Sequence, residues 1–279
     1  MARWRWVRRR ITRGARIPRS SYWSCGNQPL VPLCRVLHRL RSTFSGDLPR
    51  GVVLFVWLPL IGLSYFGTLT IAAWFSPQAY SWRGSAISKL LYPGYDPGLH
   101  YIASLGVAVT GLLIAPLAGY IRRRLRRVSA MAADAGAFAL KLGAIALVLA
   151  GLIVSHPAHG ASAFPRLHEI LARTAALGLG ASIIAFWVCA AKGYLAAATG
   201  SLEWRRLLVS WSLIALPGLS IALLRAAVGA HMDWSNPIYR KLEDRALWHL
   251  AFWEWLGSAA VFLFLLSAVL YLPESDSQR

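Results

Sequence analysis

Six stretches of predominantly apolar residues, each long enough to cross a bilayer, constrain this chain more than any other feature. A transmembrane helix needs about 20 such residues, and windows at 51–74, 98–121, 135–155, 167–191, 207–229 and 247–272 supply them. Breakers stand between the windows: Pro77, Pro93, Pro97, Pro157, Pro165 and Pro237 fall in or beside the predicted loops. The composition agrees, with 57% hydrophobic and 15% charged residues, against about 45–50% and about 25% in a soluble domain. The expected fold is all-α and polytopic: a six-transmembrane-helix bundle over 51–272, a basic leader over 1–50 and a short tail over 273–279. Three cysteines, Cys25, Cys34 and Cys189, exclude a disulfide scaffold, and no GxGxxG or P-loop supports a soluble nucleotide fold.

Charge then orients the chain. Residues 1–50 hold 12 of the 30 Lys and Arg, opposed there only by Asp47. Leu30, Leu33, Leu37 and Leu40 recur at helical spacing among arginines, which predicts a short interfacial helix before the bilayer. The leader lacks the apolar stretch of a signal peptide, so no cleavage is expected. Its partners are expected to be membrane lipids, with anionic headgroups along the leader and no nucleic acid. The loop between windows two and three carries Arg122, Arg123, Arg124, Arg126 and Arg127, and the next even-numbered loop carries Lys192, Arg205 and Arg206. The other three loops are near neutral, so the positive-inside rule predicts a multi-pass protein with both termini cytoplasmic.

With that sidedness, six of the seven histidines fall at the extracytoplasmic end: His100, His156, His159, His168, His231 and His249. Three of them could hold zinc with an open water position, Asp96 or Asp233 assisting. No HExxH is present, and imidazoles also cap helix ends at an interface. Charges inside the windows carry a second signal. Arg173, Arg225 and Glu254 share a depth in the outer half of the bilayer, where an ionised group should face the bundle with a partner. Glu169 and Arg173 are four apart on one helix face, and Glu254 aligns with Gly257 and Ser258 on a small-residue face. The structural reading is that Arg225–Glu254 or Arg173–Glu169 form ion pairs that fix packing, or that Arg225 snorkels; the functional reading is a pocket. A pocket of His168, Glu169, Arg173, Arg225 and Glu254 would keep surplus positive charge, suited to an anionic headgroup. Pro217-Gly218 in window five favours a kink that opens space beside Arg225.

The stretch from Ser85, SAISKLLYPGYDPGLHYIASLGVAVTGLLIAPLAGYI, the segment FPRLHEILARTAALG and the pair Glu254-Trp255 resemble the DRAM/FRAG-like six-helix integral membrane proteins and their bacterial relatives. Ser85, Ile87 and Ser88 match that group's first outer loop loosely, and His168 matches its fourth-helix histidine. The Arg-rich leader departs from the pattern. The resemblance implies a six-helix membrane protein associated with lipid or membrane homeostasis, with no common chemistry.

The function expected from these readings is lipid handling or lipid sensing through the polar pocket, without a cofactor and without an assigned catalytic residue. The alternatives are a zinc-dependent membrane hydrolase using the outer histidines, an ion-coupled transporter with Glu254 as relay, and a structural subunit docking through its leader.

Overall fold

The computed structural model describes residues 46–76, 80–82, 85–153, 167–196, 202–230, 232, 235–242 and 250–273. Every regular element among them is helical. Six helices are long and apolar enough to cross a membrane: Arg50–Phe75, His100–Leu125, Ala130–Leu152, Leu167–Ala196, Leu202–Gly229 and Leu250–Tyr271, spans one to six. The chain is therefore an all-α polytopic bundle. Two short helices, Ile87–Leu90 and Ser235–Leu242, stand in the connections. The interfacial helix expected around Leu30–Leu40 lies outside the described residues. The last residues of the predicted leader pack on the bundle. Gly46 takes a positive φ of 86°, Leu48 is buried, and Asp47 pairs with Arg123.

Two spans begin earlier than hydropathy predicts. Span three starts at Ala130 rather than 135 because Asp134, which ends the apolar window, is neutralised in place. Its carboxylate accepts from Arg122 Nε at 2.6 Å and lies 3.6 Å from Arg126 Nε. Span five starts at Leu202 rather than 207, so Arg205 and Arg206 form part of its first turns. Both extensions fall at the end of the bundle that carries residues 122–130 and 196–206, here called the basic end. The opposite end carries residues 76–99, 153–167 and 230–250.

Prolines inside the spans are accommodated by neighbours. Pro59 has no N–H, and the turn ahead of it, Val53–Trp57, widens into a π-helix. Pro116 interrupts the ladder of span two, and the Trp57 indole N–H donates to the nearby Leu113 carbonyl at 2.7 Å. Such cross-helix donors allow proline to stand inside a membrane helix.

Span two is the centre of the bundle, with 67% of its apolar window buried, against 11% for span five. Lipid supplies no hydrophobic drive between helices, so close backbone approach at small residues holds them together. A Cβ on Gly111 would lie 2.6 Å from the Ala144 carbonyl oxygen, and one on Gly151 would lie 2.6 Å from that of Ser104. Spans three and four meet glycine to glycine, where a Cβ on Gly178 would stand 2.7 Å from the Gly143 nitrogen. Spans four, five and six join near the basic end through aromatics. Trp211 is fully buried, its indole donates to Ser267 Oγ at 2.8 Å, and its ring lies 4.9 Å from Phe264. Phe186 stacks on Phe264 at 6.1 Å.

Candidate functional site: the open middle of spans five and six

The five residues expected to form one pocket are divided among different tasks. His168 opens span four and sets Nδ1 3.0 Å from the Ala150 carbonyl and 3.2 Å from that of Ile153. Those carbonyls end span three, where helical partners run out, so the imidazole closes a helix terminus. Glu169 and Arg173 form the expected pair at 2.5 Å, but on an exposed face, with side chains 55% and 73% accessible. Glu254 accepts the Ile87 amide N–H at 2.5 Å and so holds the loop between spans one and two rather than facing Glu169 and Arg173. Arg225 is half-buried. Of the five, His168, Glu169 and Arg173 share span four, while Glu254 takes part in a second cluster.

That cluster ties span six to the first loop. Ser258 Oγ donates to the Glu254 carbonyl at 2.7 Å and lies 2.7 Å from the Tyr65 hydroxyl. The Trp255 indole donates to the Tyr80 oxygen at 3.2 Å, and the Tyr80 hydroxyl donates to the Ser85 carbonyl at 2.7 Å. Burial pushes the Tyr80 phenol up to about 12, with the Trp255 hydrogen bond opposing it, so the group remains a donor at neutral pH. Trp82 closes the cluster, 5.0 Å from Trp255 and 5.1 Å from Tyr80. The small-residue face expected at Gly257 is also corrected. No atom lies within 4 Å of a Cβ placed there, and Gly257 is exposed.

Of the histidines expected as zinc ligands, only His100 and His168 fall among the described residues. His100 Nδ1 lies 3.0 Å from the Asp96 carbonyl in its own turn. His156, His159, His231 and His249, with Asp233, lie outside the described residues. Among the described residues no three His, Cys, Asp or Glu side chains come together as a metal would require.

A different feature emerges between spans five and six. Trp211, Gly218 and Arg225 are spaced by seven, so they share one stripe of span five with a drift of about 20° per heptad. On span six, Gly257 and Phe264 are also seven apart. The Trp211–Phe264 contact fixes the register of the two antiparallel helices. One heptad toward the opposite end, about 10 Å away, Gly218 and Gly257 stand at the same level. Neither would meet an atom within 4 Å of an added Cβ, and both are exposed. The stripe that buries Trp211 is thus empty at Gly218. Leu216, Pro217, Gly218, Leu219 and Ser220 are all exposed, although a helical turn is only 3.6 residues. The middle of span five is thus an exposed, largely apolar face.

Below this open stretch the two spans meet at the Trp211–Phe264 contact, and Arg225, half-buried, stands one heptad beyond Gly218. Pro217 lies within a helix that remains continuous from Leu202 to Gly229. Arg173 lies thirteen residues from Phe186, which places it on a different face of span four, and it is engaged by Glu169. Sequence reasoning singled out Arg225, Gly218 and Gly257 but missed Trp211 and Phe264. The heptad spacing of those residues was the available signal.

No known protein family matches the chain, and no curated protein or solved structure does either.

Proposed function

We propose that this protein is a lipid-handling membrane protein, with a crevice between spans five and six holding the chain of an amphiphile and Arg225 at its anionic headgroup. The observation that supports this reading is that Gly218 and Gly257, each one heptad from the Trp211–Phe264 contact, are both open. An apolar gap in a membrane bundle is filled by the surrounding solvent, which is lipid, and a guanidinium at its head prefers phosphate or carboxylate oxygens. The DRAM/FRAG-like resemblance, with its implied link to lipid homeostasis, accords with this role. Filling the gap with Gly218→Phe is expected to reduce co-purifying lipid, because nothing stands where the new ring would go and the fold should tolerate it. Arg225→Gln should reduce anionic lipid selectively. Native mass spectrometry checks both, and unchanged lipid occupancy in the two variants would refute the reading.

Both termini are assigned to the cytoplasm, so the crevice opens toward the outer leaflet. The support is the concentration of Arg122, Arg123, Arg126, Arg127, Lys192, Arg205 and Arg206 at one end of the bundle. In a background lacking the native cysteines, an impermeant maleimide applied to intact cells should label Ile238→Cys and spare Arg127→Cys. The reverse pattern would invert the topology and move the crevice to the inner leaflet.

A further inference from the structure

Span five is anchored unevenly along its length. Its basic half is tied to two neighbours. Leu207 and Trp211 are fully buried, and the Trp211 indole donates to Ser267 Oγ of span six at 2.8 Å. From span four, the Trp187 indole donates to Ser212 Oγ at 2.9 Å, and a Cβ on Gly193 would lie 2.9 Å from the Trp204 ring. Beyond residue 218 the packing thins. Ala227 is buried there, while Leu219, Ser220, Ala222, Leu223, Ala226 and Gly229 are exposed. A segment with few buried contacts sits at the low end of local stability.

The boundary between the two halves falls on Pro217 and Gly218. Pro217 has no N–H, so the Leu213 carbonyl loses its intrahelical donor, and the pyrrolidine ring crowds that carbonyl. Gly218 adds a backbone without the restriction of a Cβ, and nothing lies within 4 Å of a Cβ placed there. Pro116 provides the contrast within the same molecule. It is buried in span two, and the Trp57 indole of span one donates to the adjoining Leu113 carbonyl. Pro217 and Gly218 are both exposed, so packing constrains the helix angle far less at this point.

We infer that Pro217 and Gly218 form a hinge in span five, about which residues 219–229 swing as a unit while residues 202–216 stay fixed to spans four and six. A few positions that absorb the change in angle are what the hinge class of conformational change requires. The arm is about 15 Å long, so a change of about 20° in the bend carries its tip about 5 Å. Arg225 and Ala227 travel with it, and burial of Ala227 marks the closed position. The hinge goes beyond lipid handling and does not depend on it.

The test measures distances by pulsed electron resonance on the full-length protein in nanodiscs, in a background lacking the native cysteines. Spin labels at Tyr101→Cys and Ala226→Cys report on the arm against span two. Labels at Phe138→Cys and Val209→Cys report on the fixed half against span three, and all four positions are exposed. The arm pair is expected to show a distribution broader by about 5 Å than the fixed pair, the excursion set by the arm length and bend. Pro217→Ala restores the backbone donor at an exposed position, so the arm distribution should narrow to about half its parent width while the fixed pair is unchanged. An arm pair as narrow as the fixed pair in the parent protein would overturn the hinge. So would a broad arm distribution that Pro217→Ala leaves as it was, because the motion would then originate elsewhere. Neither result bears on lipid occupancy, and unchanged occupancy in Gly218→Phe would leave the hinge standing.

Discussion

Alanine at Gly106 is expected to destabilise the bundle by about 3 kcal/mol, at the upper end of ordinary overpacking costs. A Cβ there would overlap the Thr68 hydroxyl and the Ser64 backbone carbonyl. Neither can withdraw without breaking a hydrogen bond. Thr68 Oγ1 donates to the Ser64 carbonyl at 2.6 Å, and Ser64 Oγ lies 2.8 Å from Thr110 Oγ1. Thr110 in turn donates to the Gly106 carbonyl at 2.7 Å. The substitution therefore forces spans one and two apart at a polar seam that lipid cannot solvate. Gly180→Ala is the control, since nothing lies within 4 Å of its Cβ. Removing glycine from a helix interior is otherwise favourable by about 0.5–1 kcal/mol. Thermal unfolding in detergent should place the two variants on opposite sides of the parent chain. A Gly106→Ala midpoint equal to the parent's would refute the close-packed seam.

Glu254→Ala is expected to release the loop between spans one and two while the rest of the fold persists. Its carboxylate accepts the Ile87 amide N–H at 2.5 Å, at the start of the short helix Ile87–Leu90, which has no side-chain cap of its own. A hydrogen bond to a charged group contributes about 1.5–3 kcal/mol, so exchange of the Ile87 amide should accelerate by about tenfold to a hundredfold. Glu254→Gln keeps an oxygen acceptor and should show a smaller increase. The main core lies elsewhere, around Leu117, Tyr120, Leu140, Trp211 and Phe264, so amides there should be unaffected. Uniform acceleration across the spans would mean that Glu254 supports the whole bundle rather than this loop. The result also bears on the transporter alternative. A carboxylate engaged by a backbone amide acts as an anchor, and a proton delivered to it must first loosen the loop.

The pairing of Glu169 with Arg173 was legible because helical spacing alone brings residues four apart together. The task of Glu254 was not, since its partner at Ile87 is 167 positions away in the chain. Arg173 and Arg225 look equivalent as letters in apolar windows. One is engaged on an exposed face, and the other shares the stripe of Trp211 and Gly218.

Hydropathy summed along the chain determined the six crossings, their limits to within a few residues and the concentration of arginine at one end. Each follows from transfer of a local segment from water to lipid, which needs no knowledge of its neighbours. The tertiary structure alone decided that Gly178 is locked against Gly143 while Gly180, two residues on, is open. It alone joined Trp211 to Phe264 while leaving Gly218 and Gly257, one heptad away on each helix, open. Those outcomes depend on the rotation and register of one helix against another, and hydropathy carries no term for either because lipid solvates every apolar face alike.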